Sequence, residues 1–133
     1  MNKKALEDVF FMAQKGLTLL AVCDESGVPH IAAAGKLEYH EGNQVAVTDW
    51  FCPGIVANAS PGKPISIVVW DPQTDTGHQL TGNVKQVVDY GALDGYTSLE
   101  EKHKPLPQMQ RTLFMEVANI MAFSKAPHSD LEE

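Results

Sequence analysis

The sequence predicts a mainly-β protein, a six-stranded antiparallel barrel with peripheral helices, on three observations. The elements read in the order helix, three strands, helix, two strands, helix, strand. Short turn clusters join several of the strands, as in hairpins, and the last strand returns late. Gly82 interrupts a strand, which indicates a bulge where a barrel bends. Together these features fit an antiparallel barrel with peripheral helices.

Size and composition are those of a single globular domain. The chain has 133 residues, of which 44% are hydrophobic and 20% charged. We expect one domain over residues 1–133, with an N-terminal helix in residues 1–15 and an acidic tail in residues 126–133. The net charge of −7 and the lack of any basic run argue against a nucleic-acid partner.

The remaining sequence-wide features predict a cytoplasmic protein without a membrane anchor. No apolar run approaches the ~20 residues that span a bilayer, and the N-terminus has no signal-peptide pattern. The two cysteines are too few for a disulfide scaffold or a cysteine zinc site, so both are expected to be reduced.

The first third of the chain predicts a helix followed by three strands. Apolar residues at helical spacing indicate a helix over about residues 3–15, with Asn2 as N-cap and Gly16 as the stop. The helical apolar positions are Leu6, Val9, Phe10, Ala13 and Leu17. Strands are predicted at 17–23, 30–39 and 44–48, and the second contains four small residues, 32–35, that let a flat group or another backbone approach closely.

The rest of the chain predicts a short helix, two strands, a third helix and a last strand. Pro53 fits the first position of a helix that ends before 60–64, and strands follow at 65–70 and 78–88. Helical signals span 89–104 with a break near Gly95, a connector covers 106–111, and a strand covers 112–124. One face of this strand is predicted to hold Leu113, Met115, Val117, Asn119, Met121 and Phe123.

The stretch Gly42–Asn58 is the most promising ligand-binding segment. A strand runs into an aromatic and Cys-Pro-Gly turn and then into a helix start at Pro53-Gly54-Ile55, where backbone N–H groups attract anions. The alternative is that Pro53 and Gly54 only turn the chain. Cys52 lies at this junction and is a candidate reactive thiol, whereas Cys23 reads as a buried core residue.

Other chemistries leave no motif in the sequence. The five histidines show no metal-binding spacing, and neither a Gly-x-Ser-x-Gly elbow nor a glycine-rich phosphate loop occurs. We therefore predict no metal site and name no catalytic residue.

Three ordered segments resemble the pyridoxamine 5′-phosphate oxidase-like family of FMN-binding split barrels, especially its small FMN-binding proteins. Gly27-Val28-Pro29-His30 is similar to the Gly-x-Pro-His segment that enters the second strand. The stretch 48–58 followed by 64–69 resembles a strand, phosphate-binding helix start and next strand. Residues 77–82 are similar to the Gly-x-x-Leu-x-Gly segment of the family.

The resemblance implies a Greek-key split β-barrel that forms a homodimer with two FMN sites at the interface. It places small side chains of the second strand against the flavin or the partner, the end of the third strand along the flavin, and Gly54-Ile55 at the phosphate. The cofactor-binding residues that it implies are Ala33, Ala34, Thr48, Asp49, Trp50, Cys52, Gly54, Ile55 and Gln79. The family usually has Lys-Thr or Arg-Lys where this chain has Gly-Ile.

Three functions follow as expectations. The resemblance implies an FMN-binding protein, a flavin-dependent oxidoreductase of unnamed substrate and electron partner, with vitamin B6 oxidation disfavoured because the extra C-terminal segment is missing. The Gly-Ile pair motivates the alternative of a non-enzymatic dimer that has lost FMN or binds haem or a deazaflavin. A barrel without a small ligand, acting through its dimer interface, is the third.

Overall fold

A computed structural model describes residues 3–50, 52–89 and 111–132. Two helices and six strands occur there, and their ends differ from the predicted ones by no more than one or two residues. They are α1 (Lys3–Lys15), β1 (Leu17–Cys23), β2 (Pro29–Glu41), β3 (Gln44–Trp50), α2 (Pro53–Asn58), β4 (Pro64–Asp71), β5 (Thr76–Asp89) and β6 (Arg111–Ala122).

The third predicted helix, 89–104, and the connector 106–111 lie outside the described residues except at their outer ends. Those ends belong to strands: Asp89 closes β5 and Arg111 opens β6, where the two residues pair.

The six strands form a closed antiparallel barrel in the order β1-β2-β3-β6-β5-β4. Hairpins join β1 to β2, β2 to β3 and β4 to β5, whereas the chain passes from β3 to β4 through α2. β6 returns between β3 and β5. The predicted fold class, a mainly-β, six-stranded antiparallel barrel with helices at its periphery, is confirmed.

The core fills the barrel with aliphatic side chains and extends beneath α1. α1 packs on β2, β4 and β5 through Ala5, Leu6, Val9 and Met12. One predicted member of its apolar face is wrong: Leu17 starts β1 and is 52% exposed. The largest fully buried side chains are Leu20, Ile55, Ile67, Leu80, Leu113, Met115 and Ile120.

Two bulges in the β5–β6 ladder correct the predicted alternation of the last strand. Ala118 is an extra residue opposite the step from Thr81 to Gly82, and Lys85 is an extra residue on β5. Each extra residue moves the following side chains to the other face. The predicted face therefore holds only to Val117, after which Ile120 is buried and Asn119 is exposed.

Gly82 lies at the first bulge, as predicted, although the extra residue belongs to β6. A Cβ at position 82 would overlap the carbonyl oxygen of Glu116. Only glycine lets the two backbones approach this closely.

β2 also changes the face that it turns to the core. Ala32 is buried in the first half of the strand and Leu37 in the second, although an unbroken alternation would put these two residues on opposite faces. Gly35 lies between them. The small residues of this strand therefore coincide with the point where β2 passes from one part of the barrel wall to another.

Candidate functional site

The Gly-x-Pro-His segment folds into a hairpin turn that fixes the imidazole of His30. Gly27 has φ +84, a conformation that favours glycine. The N–H groups of Ser26 and Val28 donate to Asp24 Oδ1 at 2.9 Å each, and His30 Nε2 lies 3.1 Å from Asp24 Oδ2. The Val28 N–H, followed by the His30 side chain, lowers the pKa of Asp24.

His30 connects this turn to the start of α2. A Cβ at Gly54 would overlap the His30 ring at Nδ1, so the imidazole lies directly against the Gly54 backbone. The Asn58 side chain donates to Gly54 O at 2.7 Å across the same short helix. The absence of a side chain at position 54 therefore has a steric cause within this chain.

Two other residues of the strand-to-helix junction, Cys52 and Ile55, pack toward the core. The side chain of Ile55 is fully buried, and the N–H groups of Ile55 and Val56 both donate to Cys52 O at 3.0 Å. Cys52 is half-buried and packs against the core, whereas Cys23 is exposed. The prediction that Cys23 is a core residue is wrong, because Cys23 ends β1 and lies on its outward face.

A second group of predicted site residues lies where β2 pairs with the end of β3. Ala34 is opposite Trp50, and Lys36 is opposite Thr48. The Trp50 indole donates to Val47 O at 3.1 Å, and the residue is 6% exposed. Asp49 lies between Thr48 and Trp50 in β3, and its side chain is outside the described part of the chain.

Ala33 and Gln79 lie on a different surface, the outward side of the sheet formed by β2, β1, β4, β5 and β6. One row across this sheet runs Ala33, Leu19, Val68, Gln79 and Met121. The next row runs Ile31, Ala21, Ser66, Thr81 and Asn119. We call this surface the outer apolar face and define it by Leu17, Leu19, Ala21, Ile31, Ala33, Val68 and Met121.

No residue in the ranges that the structure describes covers the outer apolar face. Ile31 is 63% exposed and Leu17 is 52% exposed, and neither row contains a charged residue. A contiguous apolar surface of this kind marks an interaction site.

A groove of about 590 Å³ lies between β2, β3 and β6. Its lining includes Glu38, His40, Ala46, Thr48, Thr112 and Phe114. The rings of His40 and Phe114 are 4.6 Å apart between centroids and tilted by 56°. Thr48 is the only predicted site residue in the groove lining that the structure describes.

No helix in the described residues is both long and apolar enough to span a membrane. The same residues contain no group of three or more His, Cys, Asp or Glu side chains that could hold a metal ion.

Solved structures identify the fold, although no protein-family model and no curated protein sequence matches the chain. An FMN-binding protein from Syntrophomonas wolfei superposes with a TM-score of 0.67 at 17% identity, covering 96% of this chain and 91% of that one. A Clostridium acetobutylicum protein related to general stress protein 26, of the pyridoxinephosphate oxidase family, gives 0.63 at 14% identity, covering 99% and 96%. HupZ from Group A Streptococcus gives 0.63 at 14% identity, covering 92% and 97%.

The chain has the split-barrel fold of these proteins. The implied site residues of this split barrel fall into three groups along β2 rather than into one pocket. His30 contacts Gly54. Ala33 faces outward in the same row as Gln79, and Ala34 pairs with Trp50.

Sequence reasoning missed the groove residues His40, Thr112 and Phe114. His40 is distant in sequence from Thr112 and Phe114, and their strands carry no motif there. No local signal therefore marks them. His30 belongs to the Gly-x-Pro-His segment, but its contact with Gly54 depends on the packing of α2 against β2.

Proposed function

We propose that the protein is a homodimeric FMN-binding flavoprotein, with the outer apolar face as the surface that a second copy and the flavin ring share. The observation that carries the proposal is the presence of Ala33 and Gln79 in one row of that face. The fold supports it, because the Syntrophomonas wolfei neighbour is described as FMN-binding.

The chemistry of the face suits a flat, amphipathic ring. Leu19 and Val68 lie between Ala33 and Gln79 in the row, and an exposed Ile31 lies in the next row. Burying such apolar surface stabilises an interface by about 25 cal/mol per Å². The small side chain of Ala33 permits close approach, and the Gln79 amide can both donate to and accept from polar atoms of an isoalloxazine.

The phosphate of FMN finds a different environment from that of the family pattern. Position 54 has no side chain, and the His30 imidazole occupies the space that one would take. Lys36, on β2, lies 2.8 Å from Glu38, which offsets its charge. We therefore propose that the ring, rather than the phosphate, supplies most of the affinity.

Bound flavin would supply hydride or electron transfer, and we propose that the protein is an oxidoreductase on that basis. The role of the chain is to bind the ring, orient it and exclude water from it. Cys23 and Cys52 are free, which suits the reducing cytoplasm where we place the protein.

Titration of the purified protein with FMN and riboflavin tests this proposal. We expect quenching of flavin fluorescence, and riboflavin affinity within about tenfold of FMN affinity, because no cationic side chain at position 54 grips the phosphate. Gln79→Leu should weaken both flavins, whereas Gln86→Leu, an exposed residue of the same strand, should not. No quenching by either flavin at tens of micromolar would overturn the proposal.

A deazaflavin is the second candidate ligand. An F420 reductase superposes with a TM-score of 0.51 at 16% identity, covering 86% of this chain and 94% of that one. The same titration with F420 decides between the two. Binding of F420 that is tighter than binding of FMN would assign the face to a deazaflavin.

A further inference from the structure

We propose that the groove between β2, β3 and β6 is a separate binding site for an uncharged planar ring compound that carries a carbonyl or amide group. The groove is distinct from the outer apolar face and from the start of α2, and Thr48 is the one residue of its lining that the resemblance also implies for FMN.

The first argument is a buried hydroxyl that has no hydrogen-bond partner among the described residues. Thr112 lines the groove and is only 4% exposed, yet its hydroxyl makes no hydrogen bond with any other residue in the described ranges. Leaving a buried hydroxyl unpaired disfavours folding, and buried polar groups in proteins are nearly always satisfied. A ligand carbonyl or amide in the groove would satisfy the Thr112 hydroxyl.

The second argument is that the sheet opens at this point. The β3–β6 ladder ends with the pair Val47 and Leu113. Thr48 and Thr112 are the next residues beyond it, so their hydroxyls lie on neighbouring strands at the mouth of the opening. The small side chain of Ala46, opposite Phe114, leaves room above the floor of the groove.

The third argument is the aromatic wall. The His40 imidazole packs on Phe114, and the His40 side chain stays 39% exposed. A planar ring can therefore stack on the open side of the imidazole. The volume of about 590 Å³ is within the range of small-molecule sites.

The charges around the groove disfavour an anionic ligand. Glu38 lines it, and Glu41 lies 3.7 Å from the His40 side chain. The neighbouring cation, Lys36, lies 2.8 Å from Glu38. A carboxylate or phosphate in the groove would meet the like charges of Glu38 and Glu41, so a neutral ring is favoured.

Nicotinamide is a suitable probe, and nicotinate is its charged counterpart. We would titrate each into the full, isotope-labelled chain and follow the NMR signals of Thr48, Thr112 and His40. Saturable shifts with nicotinamide, and affinity for nicotinate at least about fivefold weaker, are expected. No saturable shift at tens of millimolar nicotinamide, or equal affinity for nicotinate, would overturn the proposal.

Matched variants separate a ligand contact from a folding effect. Thr112→Val should weaken nicotinamide binding by about fivefold, whereas Thr112→Ser, which keeps the hydroxyl, should not. Thr18→Val removes another buried hydroxyl, 5% exposed, and should leave binding unchanged. His40→Ala changes a more exposed side chain and should also weaken nicotinamide binding. If both His40→Ala and Thr112→Val keep the affinity of the unaltered chain, the proposed site is wrong.

The outcome is independent of the flavin proposal. Thr112→Val should bind FMN as the unaltered chain does, because Thr112 is not on the outer apolar face. Nicotinamide shifts in a chain that binds no flavin would support the groove site while overturning the flavin proposal.

Discussion

Gly54 shows how one contact between distant residues explains a departure from a family pattern. The His30 ring fills the space above its Cα, and His30 is itself held by Asp24. The family pattern has a cationic side chain at the start of this helix, whereas here the His30 imidazole from β2 occupies that space. Residue 54 and residue 30 therefore compete for the same volume.

Adding a side chain at position 54 should destabilise the protein. We expect Gly54→Ala to lower the free energy of unfolding by about 1–3 kcal/mol, because the His30 ring must leave its position. Urea denaturation measures the change. The double variant His30→Ala, Gly54→Ala should recover much of the loss, and a purely additive result would show that the two residues do not compete.

Asp24 should contribute to stability in a pH-dependent manner. Its pKa is lowered from 3.8, mainly by the Val28 N–H and also by His30, so the folded state favours its ionised form. The stabilisation is fully present above pH 3.8 and is lost as the pH falls through the lower folded pKa.

Unfolding midpoints measured from pH 6 down to about pH 2 test this prediction. Asp24→Asn should flatten part of the acid-induced loss, whereas Glu25→Gln, an exposed neighbour in the same turn, should leave the profile as it is. A profile unchanged by Asp24→Asn would contradict the assignment.

At the scale of elements, the β4–β5 hairpin holds the segment after β6 through the carboxylate of Asp75. Asp75, with φ 51, accepts hydrogen bonds from Lys125 N at 2.7 Å, Ala126 N at 3.0 Å and the Trp70 indole at 3.1 Å. Trp70 also meets the Phe123 ring edge-on. Asp75 thereby fixes Lys125 and Ala126, in the segment after β6, to the β4–β5 hairpin.

Asp75→Ala should release this segment without unfolding the barrel. We expect faster amide hydrogen exchange at Lys125 and Ala126, because their N–H groups lose their acceptor. Exchange in the β4–β5 ladder should stay slow in Asp75→Ala. The control is Asp130→Ala, which removes an exposed carboxylate further along the tail and should leave exchange at Lys125 and Ala126 slow. Unchanged exchange at Lys125 and Ala126 would show that Asp75 does not anchor them.

At the scale of the whole molecule, the outer apolar face is the surface through which we propose that two copies of the barrel associate. The outer apolar face spans five strands and contains no charge in its two central rows. Covering such a surface with a second copy removes apolar area from water.

Ile31→Asp should therefore weaken the proposed dimer. A carboxylate in the middle of an apolar interface loses hydration without a partner, and we expect the dimer dissociation constant to rise roughly hundredfold. Light scattering over a concentration series measures it. The control is Leu131→Asp, because Leu131 lies in the tail and is 79% exposed. A monomeric unaltered chain would contradict the prediction, and so would an Ile31→Asp variant that remains fully dimeric.

The sequence by itself determined the elements, because their signals are local. Period-two alternation, turn glycines such as Gly27 and the proline at the first turn of α2 act over a few residues, and all the strands were predicted to within one or two residues at their ends. The resemblance to a known family predicted the split-barrel fold, which the solved neighbours also have.

Only the tertiary structure decided which surfaces those elements build. The extra residue Ala118 reverses the faces of β6, and it is visible only in the register against β5. The contact of His30 with Gly54, the row that joins Ala33 to Gln79 and the groove beside Thr112 all depend on strands or helices that are far apart in sequence. Local patterns fix the direction of each side chain relative to its own strand, but pairing between distant strands fixes its neighbours.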